Sequence, residues 1–320
     1  MNAPIANGQT RPGPAPFKLQ VSKGVKREPP RIVIHGAPGI GKSTFASRAP
    51  NPVFIDLEHG TLQMDVSRVD GIETWEHLLA AVRALATEEH SYQTLVVDTL
   101  DRAEWLCWQH ICQAEKVSGI EKVGKGFGKG YTAAYEAFRG LAAALETLRI
   151  KRGMSIIIIA HSKVEKAPNA QAEEYERWTL KVHRQVAGLF YEMFDAILFA
   201  KLDVFTRKTE SGRTKGFGDA RVFQTQEAPA WVAKNRYGMP AQIPLSWEDA
   251  DAAMNRGAGE VLDSIRAEIE SALERLAAID EAAAAKARAA CEGVSDATRL
   301  SVLLGRINAG ISTRLAAQEG

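Results

Sequence analysis

Residues 31–44 read RIVIHGAPGIGKST, a short β-branched run that passes directly into a complete G-x-x-x-x-G-K-[ST] loop. This order, strand and then glycine-rich turn, is the Walker A arrangement in which the turn closes on phosphates. The glycines let backbone N–H groups turn inward, so Gly36, Ala37, Pro38, Gly39, Ile40, Gly41, Lys42, Ser43 and Thr44 form the expected nucleotide cradle. Lys42 neutralises the outer phosphate oxygens, and the Ser43 hydroxyl, at a helix N-terminus, is placed to ligate Mg²⁺. The chain carries no G-x-G-x-x-G turn, which disfavours a dinucleotide. ATP with Mg²⁺ is therefore the expected cofactor, although the loop does not distinguish adenine from guanine.

Outward from this loop, the apolar runs RIVIH, PVFID, TLVVD, SIIIIA and DAILFA alternate with helical patterns. In one of these, Thr74 to Glu89, the residues Trp75, Leu78, Leu79, Val82 and Leu85 share a face. Strands that are apolar throughout, separated by helices, predict an α/β fold with a mostly parallel central sheet covered on both sides. A P-loop needs a second metal-site carboxylate at the end of a neighbouring buried strand. Asp98, after Leu95-Val96-Val97, meets that need as the Walker B candidate and second metal residue beside Ser43. Glu58 follows the strand PVFID, expected beside the P-loop strand, where a carboxylate can activate water.

With 320 residues, 45% of them hydrophobic, the chain can bury one ample core and carry appendages. Residues 1–28 lack hydrophobic periodicity and read as a mobile, basic N-terminal arm, residues 29–248 as the core, and residues 249–320 as a helical hairpin. The last assignment rests on Leu262, Ile265, Ile269, Leu276 and Ile279 on one helical side, followed by a second helical stretch from about Asp296 to Ile307. Forty basic against thirty-nine acidic side chains give no global field toward polyanions, so any such contact must be local. Cys107, Cys112 and Cys291 form neither a disulfide framework nor a zinc spacing, and no apolar run approaches membrane-spanning length. A cytoplasmic protein without membrane contact is expected.

Local clusters do occur. In EKVGKGFGKGY, Lys122, Lys125 and Lys129 alternate with glycines and with Phe127 and Tyr131. Lysines neutralise a nucleic-acid backbone, and aromatic faces stack on unpaired bases, so this loop is a candidate for single-stranded DNA. A second basic segment, 162–184, includes Lys163 and Lys166 but also Glu173, Glu174 and Glu176.

Together, GAPGIGKSTFASRAPNPVFIDLEHG, TLVVDTL, IAHS, the glycine-lysine loop and AKNRYG resemble the phage-encoded RecA-like ATPases that act as single-strand annealing recombinases. The resemblance covers about residues 29–248. It implies that Glu58 is the catalytic base, with Asp56 and His59 as mere neighbours. It further implies that His161, where the strand Ser155–Ala160 ends, is a γ-phosphate sensor and that segment 162–184 is the principal DNA loop. Lys234 and Arg236 match basic fingers presented to the nucleotide of an adjacent subunit, which implies a homo-oligomer. Host cytoplasm, DNA-stimulated ATP hydrolysis and a single-strand DNA-binding protein as partner are further implications. A helicase-like motor and a non-hydrolysing, ATP-dependent DNA-binding switch or loader are the alternatives.

Overall fold

The computed structural model describes residues 28–167, 174–203, 205–208, 214–217, 219–294 and 297–318, with positions 19, 21 and 26. Most of the expected N-terminal arm lies outside the described residues, and its last residue, Glu28, is tied to Arg149 by a 2.7 Å ion pair.

The first half alternates as expected. β1 (Arg31–Gly36) leads to α1 (Lys42–Ala46), then β2 (Pro52–Asp56), β3 (Ser67–Arg68), α2 (Trp75–Thr87), β4 (Thr94–Asp98) and α3 (Leu100–Glu115). Thr74 and Thr99 start α2 and α3 by accepting the amides of His77 and Arg102, which satisfies donors that a helix N-terminus leaves free. A 3-10 turn (Ile120–Lys125), α4 (Lys129–Arg152), β5 (Ser155–Ala167), β6 (Tyr175–Leu180), α5 (Arg184–Met193) and β7 (Ala196–Leu202) follow. β8 (Phe205–Lys208) and β9 (Thr214–Phe217) pair as a separate ribbon, and β10 (Arg221–Gln224), β11 (Lys234–Asn235) and β12 (Gln242–Pro244) return to the main sheet.

The main sheet runs β12-β10-β7-β1-β5-β4-β2-β3, parallel from β7 to β3 and antiparallel at β10 and β12. Val33, Ile55, Val97, Ile158 and Ile197 pack under α2, α3, α4 and α5, while Ile32, Ile34, Ile157, Ile159 and Leu198 pack under α1 and the start of α6. Burial on both faces explains the unbroken β-branched runs.

The strand order corrects one expectation. Neither β4 nor β2 neighbours the P-loop strand: β5 is inserted between β1 and β4, and β2 lies one strand further out. The inserted strand leaves His161 at a position between Gly36 and Asp98, paired in register with Gly36. A second correction concerns β5 itself, which continues through His161 to Ala167 and turns back as β6. Segment 162–184, expected as a DNA loop, is thus largely a two-stranded arm leading into α5, with 168–173 outside the described residues.

At the C-terminus, three helices replace the expected hairpin: α6 (Trp247–Ala277), α7 (Glu281–Cys291) and α8 (Ala297–Gln318). α6 crosses the expected 248/249 boundary without a break, with Trp247, Ala250, Ala253 and Met254 in the sheet core and Ile269, Leu273 and Leu276 in a second core with α7 and α8. Ile279 lies past the end of α6 and packs on that second core, whereas the side chain of Leu262 and residue Asp296 lie outside what is described. No described helix is long and apolar enough to cross a membrane. All three cysteines are free.

Candidate functional site

The loop after β1 has the backbone that its glycines require. Gly39 and Gly41 adopt φ of +75° and +110°, where a side chain would be strained. Gly36 has a different reason: a Cβ there would lie 2.5 Å from the Ala200 carbonyl oxygen of β7. Lys42 is buried and donates to the carbonyls of Gly36 (3.0 Å) and Ala37 (2.9 Å). Burial lowers its pKa, and Asp98, Asp101 and Glu58 pull in the opposite direction. A cation tethered to the loop's own carbonyls and surrounded by carboxylates is held ready for anionic oxygens.

Beside it, the Ser43 hydroxyl donates to Asp98 Oδ2 at 2.6 Å. Burial raises the Asp98 carboxyl to about 6, and the charges of Asp56 and Glu58 add to this against the Ser43 hydrogen bond and Lys42. A hydroxyl and a desolvated carboxylate in contact, both hard oxygen donors, fit a magnesium ion that keeps several waters and binds phosphate oxygens. Ser43 and Asp98 would hold it, and when bound it would offset charge on those oxygens.

Glu58 stands past the end of β2 and accepts from the Thr99 hydroxyl at 2.9 Å. Because Thr99 also caps α3, the helix start fixes the carboxylate that faces the loop. Asp56 and His59 flank Glu58 at the end of β2 and in the turn after it. Asp56 accepts from Gly60 N, Thr61 N and the Thr61 hydroxyl, closing the turn, and its acidity is increased because these bonds outweigh burial. His59 occupies a left-handed position at φ +56°.

His161 comes to the same place. Its Nδ1 lies 2.9 Å from Asp101 Oδ2 and 3.9 Å from Glu58 Oε1, and its amide donates to Asp101 Oδ1 at 3.0 Å. The bond to Asp101 raises the imidazole's pKa despite burial. Asp101 and Thr99, which hold His161 and Glu58, are neighbours that the sequence reading did not single out. The available signal was DTLD, which puts Asp101 in the first turn of the helix after the Walker B strand.

Lys234 and Arg236 are not brought to this loop. Lys234 donates to the carbonyls of Tyr191 and Glu192, and Arg236 pairs with Asp195 at 3.3 Å. Asp195 precedes β7 and also binds Arg31, the first residue of β1. The two cations therefore sit at the opposite end of the central strands, about 16 Å along β1 from Gly36.

The DNA candidates divide. Lys122, Lys125 and Lys129 are exposed, and Phe127 is 99% exposed on a run of five residues, 124–128, all with positive φ. Segment 121–131 is nonetheless a 3-10 turn and a helix start, not an open loop, and it lies beyond the far end of α3, a 16-residue helix about 24 Å long. Tyr131 is engaged already: it stacks on His183 at 4.4 Å and meets Trp108 edge-on. In the β5–β6 arm, Lys163 donates to the Val182 carbonyl and pairs with Glu165, and Lys166 lies opposite Glu176.

A family model described as "AAA domain" (AAA_24) matches residues 28–237, from the start of the ordered core to just past the Lys234 and Arg236 segment. The chain belongs to this AAA domain family. As an AAA domain it is a P-loop ATPase by family, and the match includes the loop 36–44. One curated relative is similar to it: the SPbeta prophage-derived uncharacterized protein YorG of Bacillus subtilis (strain 168), 26% identical over 153 residues, which is 46% of this chain and 44% of that protein. The match thus spans less than half of the relative.

Proposed function

We propose that this AAA domain protein is a RecA-like, Mg²⁺-dependent ATPase that binds single-stranded DNA and promotes annealing or strand pairing in phage recombination. One observation carries the reading: β5 is inserted between the P-loop strand and the Walker B strand, pairs His161 with Gly36 at the start of the loop, and continues unbroken into the arm with Lys163 and Lys166. A shift of His161 toward or away from a γ-phosphate would displace the strand that carries the arm.

In this reading Lys42 and the loop amides hold the phosphates, and Ser43 and Asp98 hold the metal. Glu58, oriented by Thr99, takes the proton of the attacking water, while His161, oriented by Asp101, contacts the γ-phosphoryl group. Lys234 and Arg236, remote from their own loop, would complete the site of a neighbouring copy, so turnover would require an oligomer. Exposed Lys122, Lys125, Lys129 and Lys166 and the projecting Phe127 supply cations and one ring for a single strand.

The test is fluorescence anisotropy with a labelled oligonucleotide in the presence and absence of Mg-ATP. A nucleotide-dependent change in affinity is expected. Absence of binding at moderate salt in every nucleotide state would refute the DNA assignment.

A further inference from the structure

The residue before the first glycine of the phosphate loop is a histidine that takes no part in the site described above. His35 lies fully buried in β1, between Ala160 of β5 and Phe199 of β7. A polar ring buried this deeply needs a partner at each nitrogen, and it has both: Nδ1 lies 2.9 Å from the Ser162 hydroxyl and Nε2 lies 2.8 Å from the Val232 carbonyl oxygen. A carbonyl only accepts, so Nε2 carries the proton and Nδ1 accepts from Ser162. Burial, helped by the Lys42 charge, lowers the imidazole's pKa to about 4 against the bond to Val232, which leaves the ring neutral and in this one tautomer at pH 7.

The two partners belong to different parts of the molecule. Ser162 follows His161, where the pairing of β5 with β1 ends and its pairing with β6 begins. Val232 stands two residues before Lys234 and four before Arg236. Its N–H donates to the Trp178 carbonyl at 2.9 Å, and the Trp178 N–H donates to the Ala230 carbonyl at 2.9 Å. Trp178 belongs to β6, opposite Val164 of β5. A circuit therefore closes, from His35 to Ser162, along β5 to Val164, across to Trp178, on to Val232 and back to His35. The arm and the segment 228–236 are bonded to each other at Trp178, and the His35 imidazole bonds both of them to the phosphate-loop strand. Phe199 packs on the imidazole at 5.0 Å and stacks on both Trp178 and Trp231, so aromatic packing reinforces the same junction.

We infer that His35 is a positioning residue whose two hydrogen bonds tie the root of the arm and the segment bearing Lys234 and Arg236 to the strand that ends in the phosphate loop, so that nucleotide binding orders both together. This role rests on nucleotide occupancy of the loop 36–44 and adds to it a regulatory route that does not pass through the His161 side chain. Gly36 follows His35 directly, so a change in the loop's backbone reaches the ring across one peptide. Loss of one such bond, with its partner left buried, shifts a local opening equilibrium by about fivefold or more.

The experiment is amide hydrogen exchange of the full chain with and without saturating Mg-ATP, for wild type, Ser162→Thr, Ser162→Val and His35→Asn, with ATP affinity measured by calorimetry. In wild type, nucleotide should slow exchange in both 175–180 and 230–236. Valine and threonine share a shape, and only threonine keeps the hydroxyl. Ser162→Val should therefore lose at least about half of the response in 175–180 and Ser162→Thr should keep it, both at ATP affinities within about twofold of wild type. His35→Asn keeps an oxygen toward Ser162 and is too short for Val232, so its response should be lost in 230–236 and kept in 175–180. Protection of β4 reports whether that variant is folded, and if it is not, the Ser162 pair decides alone. Nitrogen NMR of wild type at pH 7 should find the His35 proton on Nε2. Failure of wild type to bind ATP removes the nucleotide reading and this role with it. ATP binding without a response in the two segments overturns the role alone, as do a full response in Ser162→Val, equal losses in Ser162→Val and Ser162→Thr, or a proton on Nδ1.

Discussion

Removing the negative charge of Asp98 is expected to make the empty protein more stable while it disables the metal site. The carboxyl is 6% exposed, and burial, aided by the charges of Asp56 and Glu58, raises it from the ordinary 3.8 to about 6. An acid whose folded pKa lies above its unfolded value binds its proton more tightly when folded, so ionisation works against the fold. The penalty is absent below 3.8, grows through the interval, and is complete above about 6. At pH 7.5 it amounts to about 3 kcal/mol, and at pH 5 to about half of that. Asp98→Asn keeps an oxygen for the Ser43 hydroxyl and removes the charge. With roughly 1.5 °C per kcal/mol for a chain of this length, its melting temperature should rise by about 4 °C at pH 7.5 in the presence of a chelator, with a gain about half as large at pH 5. Thermal unfolding followed by circular dichroism at the two pH values reads this directly. Added Mg-ATP should raise the wild-type midpoint and leave that of the variant unmoved. A variant less stable than wild type at pH 7.5, or a gain independent of pH, would refute the reasoning.

Three further outcomes follow from the same geometry. Gly36→Ala must force Ala200 and the cradle apart, because the new methyl group would meet the Ala200 carbonyl at 2.5 Å; nucleotide affinity measured by calorimetry should fall more than tenfold, and unchanged affinity would show that the loop's seat on β7 is unimportant. Replacing Lys122, Lys125 and Lys129 by alanine should weaken oligonucleotide binding and reduce the slope of log affinity against log salt by about 2, from ~0.7 per lost phosphate contact on a single strand; an unchanged slope removes these lysines from the interface. Lys42→Ala and Arg236→Ala should each abolish phosphate release alone and recover part of it when mixed, since one supplies intact fingers and the other an intact cradle; no recovery argues against a finger acting across copies.

What the sequence made legible follows from how local each signal is. The cradle, Asp98 and α2 are written in contiguous residues whose spacing is itself the constraint, and they lie where the spacing put them. Strand order is not written this way. That β5 enters between β1 and β4 depends on long-range pairing such as Val33 with Ile158 and Val97 with Ile158, and the same apolar runs would suit other orders. The β5–β6 arm escaped notice because SKVEKA and YERWTL are half-exposed and mostly polar, carrying little of the burial that marks a core strand. α7 was hidden for a related reason: EAAAAKARAAC packs by alanine, with no stripe of large apolar residues to announce a helix. Asp101 and Thr99 are ordinary surface residue types in the sequence, and only their contacts with His161 and Glu58 give them a role. Tyr131 illustrates the converse, a ring of the right type for a base that the fold has already placed against His183.

Glu58 is proposed as the base beside a metal-bound triphosphate, and phosphate release from ATP by Glu58→Gln tests that role most directly. Calorimetry should give Mg-ATP affinity close to wild type, and steady-state turnover should fall by about 100-fold or more. Turnover within a few-fold of wild type, with nucleotide bound normally, would contradict the account.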